Sequence, residues 1–426
     1  MKKIVYWLLL TVVTFIAKGS YEAAKRSWKL ERKPHNVVSK KKKILIFTSN
    51  GGGGQTAVNK ALSNELKEKY NVVSTLYFPQ IANKVDPVSW CTLGYYTGED
   101  LYNHWQKNGF FSFLQGSYEV SRWYYYAVSP FLTSQTVEYI EKENPDLVIS
   151  IIPIVNNAIA KACARTQTPL LIVPPDFNVA FYTQDLRLKS DAKSYVHIAL
   201  PFDNELSRKS LKENKKSYKS IKEENIYSFQ YPLRKEFYQK KDAKQIKKDF
   251  NVQDDSPIIL LMMGAQGSKS LYDFSKEIAK IKSKVHFFVC AGKNDQIIPK
   301  LHSLYFPPNI TPHILGFTDR VSDLMAISDV MIGKTGAISV VEGLYSRLPL
   351  IADQTEYVVS WELSHQEFIE EKQTGFILKK LQDLPRIVEN LLINPSLLQK
   401  IKNNINSVLK KQSTKSIEPI IKKIIG

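Results

Sequence analysis

Residues 258–268 read Ile258-Ile259-Leu260-Leu261-Met262-Met263-Gly264-Ala265-Gln266-Gly267-Ser268. A short apolar run of this kind is the pattern of a strand buried on both faces. It ends in a glycine loop that opens a helical pattern. The same order occurs earlier. Residues 43–49 form a second buried-type run, followed by Asn50-Gly51-Gly52-Gly53-Gly54-Gln55, an amphipathic helix from about 56 to 70 and a strand over 72–77. It occurs again where a strand over 330–332 leads into Lys334-Thr335-Gly336-Ala337 and a helix carrying Glu342. A strand–loop–helix–strand order predicts parallel sheets joined by right-handed crossovers.

Outward from these runs, strands are expected at 146–152 and 170–173 in the first half, and at 285–290, 311–315 and 350–352 in the second. Residues 78–131 break the rhythm and collect aromatic residues, among them Trp90, Tyr95, Tyr96, Trp105, Phe110, Phe113 and Trp123. Residues 204–226, rich in lysine and serine, read as a surface-exposed stretch, and the last fifty as lysine-rich helix. The division expected is a leader over 1–30, a first domain over 43–235, a second over 236–390 and a helical tail over 391–426.

The chain has 426 residues, enough for two α/β domains and a tail. Hydrophobic residues make up 43% and charged residues 23%, a globular balance. The formal net charge of +18 suits an anionic partner, or a solvated lysine-rich surface. No nucleic-acid-binding signature accompanies it, so nucleic acid is not expected. Cys91, Cys163 and Cys290 are far apart, which argues against a disulfide framework or a metal-binding pair. No metal site is expected.

Residues 4–17 form an apolar run behind Lys2 and Lys3. The run is short for a membrane span, which needs about 20 residues. It fits an uncleaved anchor or the core of a signal peptide. The basic residues that follow favour an anchor holding the body of the protein on the cytoplasmic side; cleavage would mean export.

Each glycine loop can bring backbone N–H groups against an anion at a helix N-terminus. None ends in the Gly-Lys-Ser/Thr of a Walker loop, and none is a well-spaced dinucleotide fingerprint. Singly, each reads as a tight turn; together, one in the first half and two in the second, they suggest a phosphate-bearing ligand.

The segments GAQGSKSL (264–271), VCAGKND (289–295) and GFTDRVSDLMAISDVMIGKTGAISVVEGLYSRLPLI (316–351) resemble the donor domain of glycosyltransferase family 28. QYPLRKEF (230–237) resembles that family's interdomain turn, GGGGQ (51–55) its first loop, and ENPDLVISIIP (143–153) its Pro-Asp strand. The resemblance implies a GT-B fold, an α/β architecture of two Rossmann-like domains facing a cleft. It implies a UDP-sugar as co-substrate and no separate cofactor. By position, Glu342 would accept from the ribose hydroxyls, and Gly316 and Phe317 would border the uracil. Gly264, Gln266, Gly267 and Ser268, with Thr335, Gly336 and Ala337, would surround the diphosphate, and Arg234 would pair with it. Trp361 and Glu362 stand where a polar pair holds the hexose; Glu362 keeps that role and Trp361 replaces a glutamine. A helix N-terminus plus an arginine stabilises a leaving diphosphate without a metal. The chain has no Asp-x-Asp pair.

The acceptor side departs from the family. Gln55 stands where the family's first loop carries a histidine base, and an amide takes no proton at a useful pH. Asn50 and Ile152 are also neutral where the lipid-using branch often has an ionisable residue. Asp176, after Val173-Pro174-Pro175, is the expected substitute base, ahead of His197 and His104. The alternatives are a nucleotide-sugar-binding partner or sensor subunit that transfers nothing, and a UDP-sugar epimerase or hydrolase. The aromatic segment, the basic charge and the apolar N-terminus together point to a lipid acceptor and a membrane surface.

Overall fold

The computed structural model describes residues 41–426 apart from Gly52, Asp203 and Asn204. The expected leader over 1–30 lies outside the described residues. Two parallel six-stranded sheets, each flanked by helices, make up the frame. The first contains β1 (Lys43–Thr48), β2 (Asn71–Leu76), β3 (Leu147–Ser150), β4 (Leu170–Ile172), β5 (Val196–Leu200) and β6 (Ile226–Ser228). The second contains β7 (Ile258–Met262), β8 (Val285–Cys290), β9 (Ile310–Leu315), β10 (Val330–Gly333), β11 (Leu350–Asp353) and β12 (Gly375–Leu378).

The strand orders are β2-β1-β3-β4-β5-β6 and β12-β11-β10-β7-β8-β9. Each sheet is wound outward from its middle, so each has one point where the order reverses. In the first, that point lies between β1 and β3; in the second, between β7 and β10. β1 pairs with both neighbours in parallel register, with Ile46 opposite Ser74 on one side and Ile149 on the other. The inner strands are buried along most of their length, as their apolar runs require.

The irregular aromatic region is helical. Asp86 caps the helix Pro87–Cys91 and also accepts from the Gly98 N–H at 2.8 Å. Thr97 and Asp100 form a capping box at the start of Gly98–Asn108, which ends at Gly109 with φ +78°. Phe111–Ala127 and Ser129–Glu143 follow. Leu114, Tyr118 and Tyr125 turn inward, while Phe113, Val120 and Trp123 face solvent.

Residues 204–226 are not the open surface stretch expected. They contain helices Glu205–Glu213 and Lys215–Tyr218, and Leu206, Ser207, Ser210, Leu211 and Ser217 are buried. The lysines project from one face of an amphipathic helix whose other face turns inward, where Ser210 accepts from the Val179 N–H and donates to the Phe177 carbonyl. The C-terminal tail holds helices Pro395–Lys410 and Glu418–Ile425, and the second returns to the first domain. There Glu65 accepts from the Ile417 N–H at 3.0 Å and Lys69 pairs with Glu418 at 2.6 Å.

Two glycines make opposite predictions. A Cβ at Gly375 would lie 2.1 Å from the Leu350 carbonyl oxygen across the β11–β12 pairing, so Gly375→Ala forces two backbones apart. It should lower unfolding stability by about 1–3 kcal/mol. Gly116 is exposed within Phe111–Ala127 with nothing within 4 Å of its added Cβ, so Gly116→Ala should raise stability by about 0.5–1 kcal/mol. Denaturant titration of both variants checks the pair.

Candidate functional site

The loop at residues 264–268 follows β7 and the loop at 334–336 follows β10, the two strands at the reversal point of the second sheet. Open α/β sheets bind ligands in the crevice at such a point, beyond the carboxyl ends of the strands. The first loop is shaped by close backbone crossing. Gly264 and Gly267 have φ of +82° and +73°, and a Cβ at Gly267 would lie 2.1 Å from the Ala291 carbonyl oxygen. Only glycine fits there. The second loop opens the helix Ala337–Tyr345, whose first N–H groups point back into the crevice.

The first sheet presents its own reversal point across the cleft. The glycine loop after β1 leads into helix Gly53–Leu66 and meets both second-domain loops. An added Cβ at Gly53 would lie 3.4 Å from the Ala265 side chain, and one at Gly54 would lie 3.7 Å from Ile338. Helix Gly98–Asn108 braces this loop. The Asn50 N–H donates to Glu99 at 3.0 Å, and the Asn50 carbonyl accepts from Asn103 at 3.0 Å. The side-chain carbonyl oxygen of Gln55 is buried with no hydrogen-bond partner among the described residues.

Glu342 lies on Ala337–Tyr345 and is buried, not solvated. Arg234 reaches it from the interdomain turn, with 3.0 Å between the guanidinium and Oε1. Burial pushes the Glu342 carboxyl from its ordinary 4.5 up to about 7, and the guanidinium opposes part of that rise. Arg234 also lies over the Phe237 ring at 5.1 Å. This one pairing leaves other N–H donors of its five available.

A second group gathers on helix Ser360–Lys372, which grips Thr335. Thr335 Oγ1 donates to Glu362 at 3.3 Å, Gln366 donates to the same oxygen at 3.4 Å, and the Thr335 carbonyl lies 2.7 Å from His365 Nδ1. With its side chain turned into this helix, Thr335 offers the cleft its backbone. Burial raises the Glu362 carboxyl to about 7; Lys334 opposes the rise and Asp176 adds to it. Burial holds the Lys334 ammonium below its usual range, and it rests 4.5 Å above the Phe111 ring of the first domain.

Asp176 follows β4 on the opposite wall. Its Oδ2 accepts from the Tyr182 hydroxyl at 2.5 Å, and its Oδ1 lies 3.8 Å from His365 Nε2. Burial raises its pKa. Asp176 and Glu362 each bear on the Tyr102 hydroxyl, so carboxylates from the two domains converge on one part of the cleft.

The remaining residues singled out in the sequence fall in three places. Gly316 and Phe317 follow β9, two strands from the reversal point; Phe317 is 61% exposed beneath the Lys293 ammonium at 5.7 Å. Trp361 is 8% exposed and packs 5.3 Å from Tyr118 and 5.2 Å from Phe181, so its ring is interdomain packing. His197 lies on β5 against Tyr227, and His104 beside Asn108; neither joins the Asp176 cluster. Sequence reading passed over His365, Lys334, Tyr102 and Tyr182. The one signal for His365 was its place one helical turn after Trp361.

The glycosyltransferase family 28 C-terminal domain model matches residues 258–422. The processive diacylglycerol beta-glucosyltransferase of Bacillus subtilis (strain 168) is 24% identical over 289 residues, 67% of this chain and 71% of that protein. A probable chloroplastic monogalactosyldiacylglycerol synthase of Glycine max is 22% identical over 278 residues, 62% of this chain and 48% of the plant protein. The crystal structure of Acinetobacter baumannii MurG matches with a TM-score of 0.59 at 13% identity, covering 90% of this chain and 99% of that one. The glycosyltransferase SnogD from Streptomyces nogalater matches with a TM-score of 0.56 at 14% identity, covering 91% and 100%. These two likenesses speak to the fold. Residues 258–422 match the glycosyltransferase family 28 C-terminal domain, and the chain is a glycosyltransferase with the GT-B fold.

Proposed function

We propose that the protein transfers a hexose from a UDP-sugar to a lipid acceptor such as diacylglycerol, at a membrane surface and with no separate cofactor. The carrying observation is the crevice between β7 and β10, with Glu342 buried beside Arg234 on one wall and Asp176 facing it from the other domain. The ribose takes Glu342. The diphosphate lies against the loops at 264–268 and 335–337, where helix N–H groups and the free donors of Arg234 meet the charge that grows as the sugar–phosphate bond breaks. Glu362 holds hexose hydroxyls. Asp176 takes the proton of the acceptor hydroxyl as its oxygen bonds to the anomeric carbon. A carboxyl whose pKa is raised by burial is a stronger base than an exposed one.

The relatives named for diacylglycerol substrates support the lipid acceptor. So does the outward face of the helical region. Leu93, Tyr95, Phe113 and Trp123 are 89%, 85%, 66% and 72% exposed, and interfacial membranes accept aromatic side chains of this kind. Among the described residues no helix is long and apolar enough to cross a membrane. Gln55 favours a second reading, in which donor binds and nothing is transferred.

UDP release from UDP-glucose with diacylglycerol vesicles decides between them. Asp176→Asn should bind donor normally and lose turnover by about 100- to 10,000-fold. Tight donor binding by the wild type with no turnover on any acceptor would favour the second reading. Glu342→Ala should weaken UDP-glucose by about 10- to 100-fold in a thermal-shift titration, the loss of hydrogen bonds to a charged group.

The ionised form of Glu342 is the better acceptor for ribose, so UDP-glucose affinity should rise as pH passes upward through about 7. Glu342→Gln should flatten that rise. Stability of the unliganded protein runs the other way. Glu342 and Glu362 have folded pKa values near 7, above their ordinary 4.5. Their contribution is full below about 4.5 and is lost as pH rises through about 7, so thermal midpoints should fall across that window, and less steeply in Glu362→Gln.

Paired Phe113→Ser and Trp123→Ser substitutions on the outward face should weaken binding to anionic vesicles in a flotation assay while leaving UDP-glucose affinity unchanged. Equal flotation of variant and wild type would remove this face from the membrane contact.

A further inference from the structure

We propose that His365 is a positioning residue that holds the acceptor-side carboxylate of Asp176 in register with the diphosphate loop at Thr335. The proposal rests on the reading of Asp176 as the acceptor base.

The imidazole is fully buried, and both ring nitrogens meet backbone groups. Nδ1 lies 2.7 Å from the Thr335 carbonyl oxygen. A carbonyl only accepts, so Nδ1 carries the hydrogen. Nε2 lies 3.2 Å from the Phe177 nitrogen, whose N–H only donates, so Nε2 is bare. The surroundings therefore select one neutral tautomer. Burial lowers the imidazole pKa and works in the same direction. One partner belongs to the loop after β10; the other is the residue that follows Asp176. One rigid ring thus ties the two walls of the cleft together.

Packing holds the ring still. Phe177 stands edge-on to it with centroids 4.8 Å apart, and Phe177 in turn packs on Phe202 at 4.8 Å and Phe368 at 5.0 Å. Because Nε2 is bare, it offers no hydrogen to Asp176 Oδ1 at 3.8 Å. Tyr182 secures the other oxygen at 2.5 Å. The carboxylate is thereby anchored through one oxygen and left with the second for an acceptor hydroxyl. Bringing a base and a reacting centre to fixed separation is worth a large part of a transfer barrier, and small displacements are costly.

Two near-isosteric substitutions separate the two links. The amide nitrogen of asparagine falls near the position of Nδ1, so His365→Asn keeps the bond to Thr335 and loses Phe177. Glutamine reaches the position of Nε2, so His365→Gln can accept from the Phe177 N–H. With UDP-glucose and diacylglycerol vesicles, His365→Asn should lose about a hundredfold in kcat. Its UDP-glucose affinity should not change, and its Phe177 amide should exchange faster with deuterium. His365→Gln should recover much of the lost kcat and restore protection of that amide. Wild-type kcat in His365→Asn would overturn the proposal, as would a loss of donor affinity equal to the loss in kcat. Asp176→Asn assayed beside them tells the two readings apart. If it is fully active, the base assignment fails; if it is inactive while His365→Asn is normal, the positioning proposal alone fails.

Discussion

An open parallel sheet whose right-handed crossovers cover both faces with helices must be wound outward from an inner strand, and where the winding changes direction the loops on either side diverge. That constraint organises this molecule. In the second sheet the divergence lies between β7 and β10, and the two glycine loops follow those strands. In the first it lies between β1 and β3, beside the loop that leads into the helix carrying Gln55. The cleft is the meeting of two such points, and its chemistry is set by what the chain places at strand ends.

Charges in this cleft are held at a cost in stability. Glu342 and Glu362 are desolvated enough to sit near 7, and Lys334 is depressed by the same burial. Removing a carboxylate from water is repaid by its partner only when geometry is good. Arg234 supplies that geometry for Glu342 at 3.0 Å, while no ion pair to Lys334 forms within 4 Å among the described residues. Charged groups held this way leave a cleft lined with polar atoms from both domains.

The aromatic helices occupy both sides of this arrangement. Their inward residues touch the donor domain: Phe111 beneath Lys334, Tyr118 against Trp361, and Gln115 accepting from the Ser360 N–H at 2.9 Å. Their outward residues carry a broad apolar face. The same helices that pack against the second domain therefore also carry exposed aromatic residues, among them Phe113 and Trp123.

Much of the fold was legible in the residues. Long branched apolar runs marked β1, β7 and β8 to within a residue or two, because a strand buried on both faces tolerates little else. Strands β5, β6 and β12 escaped. β5 carries His197 as its second residue and β6 is three residues long, so neither displays a pattern of its own. Helix 205–213 was hidden by its exposed charged residues, which outnumber the two leucines on its buried face. The glycine loops were legible too, since a glycine that must pass a carbonyl at 2.1 Å admits no substitute. What the chain could not announce was who meets whom across it. Arg234 and Glu342 are 108 residues apart, and Phe177 and His365 are 188 apart. Local pattern determines strands, turns and helix faces because those depend on neighbours in sequence. The pairing of buried charges and the tautomer of His365 depend on neighbours in space, so only the packed structure decided them.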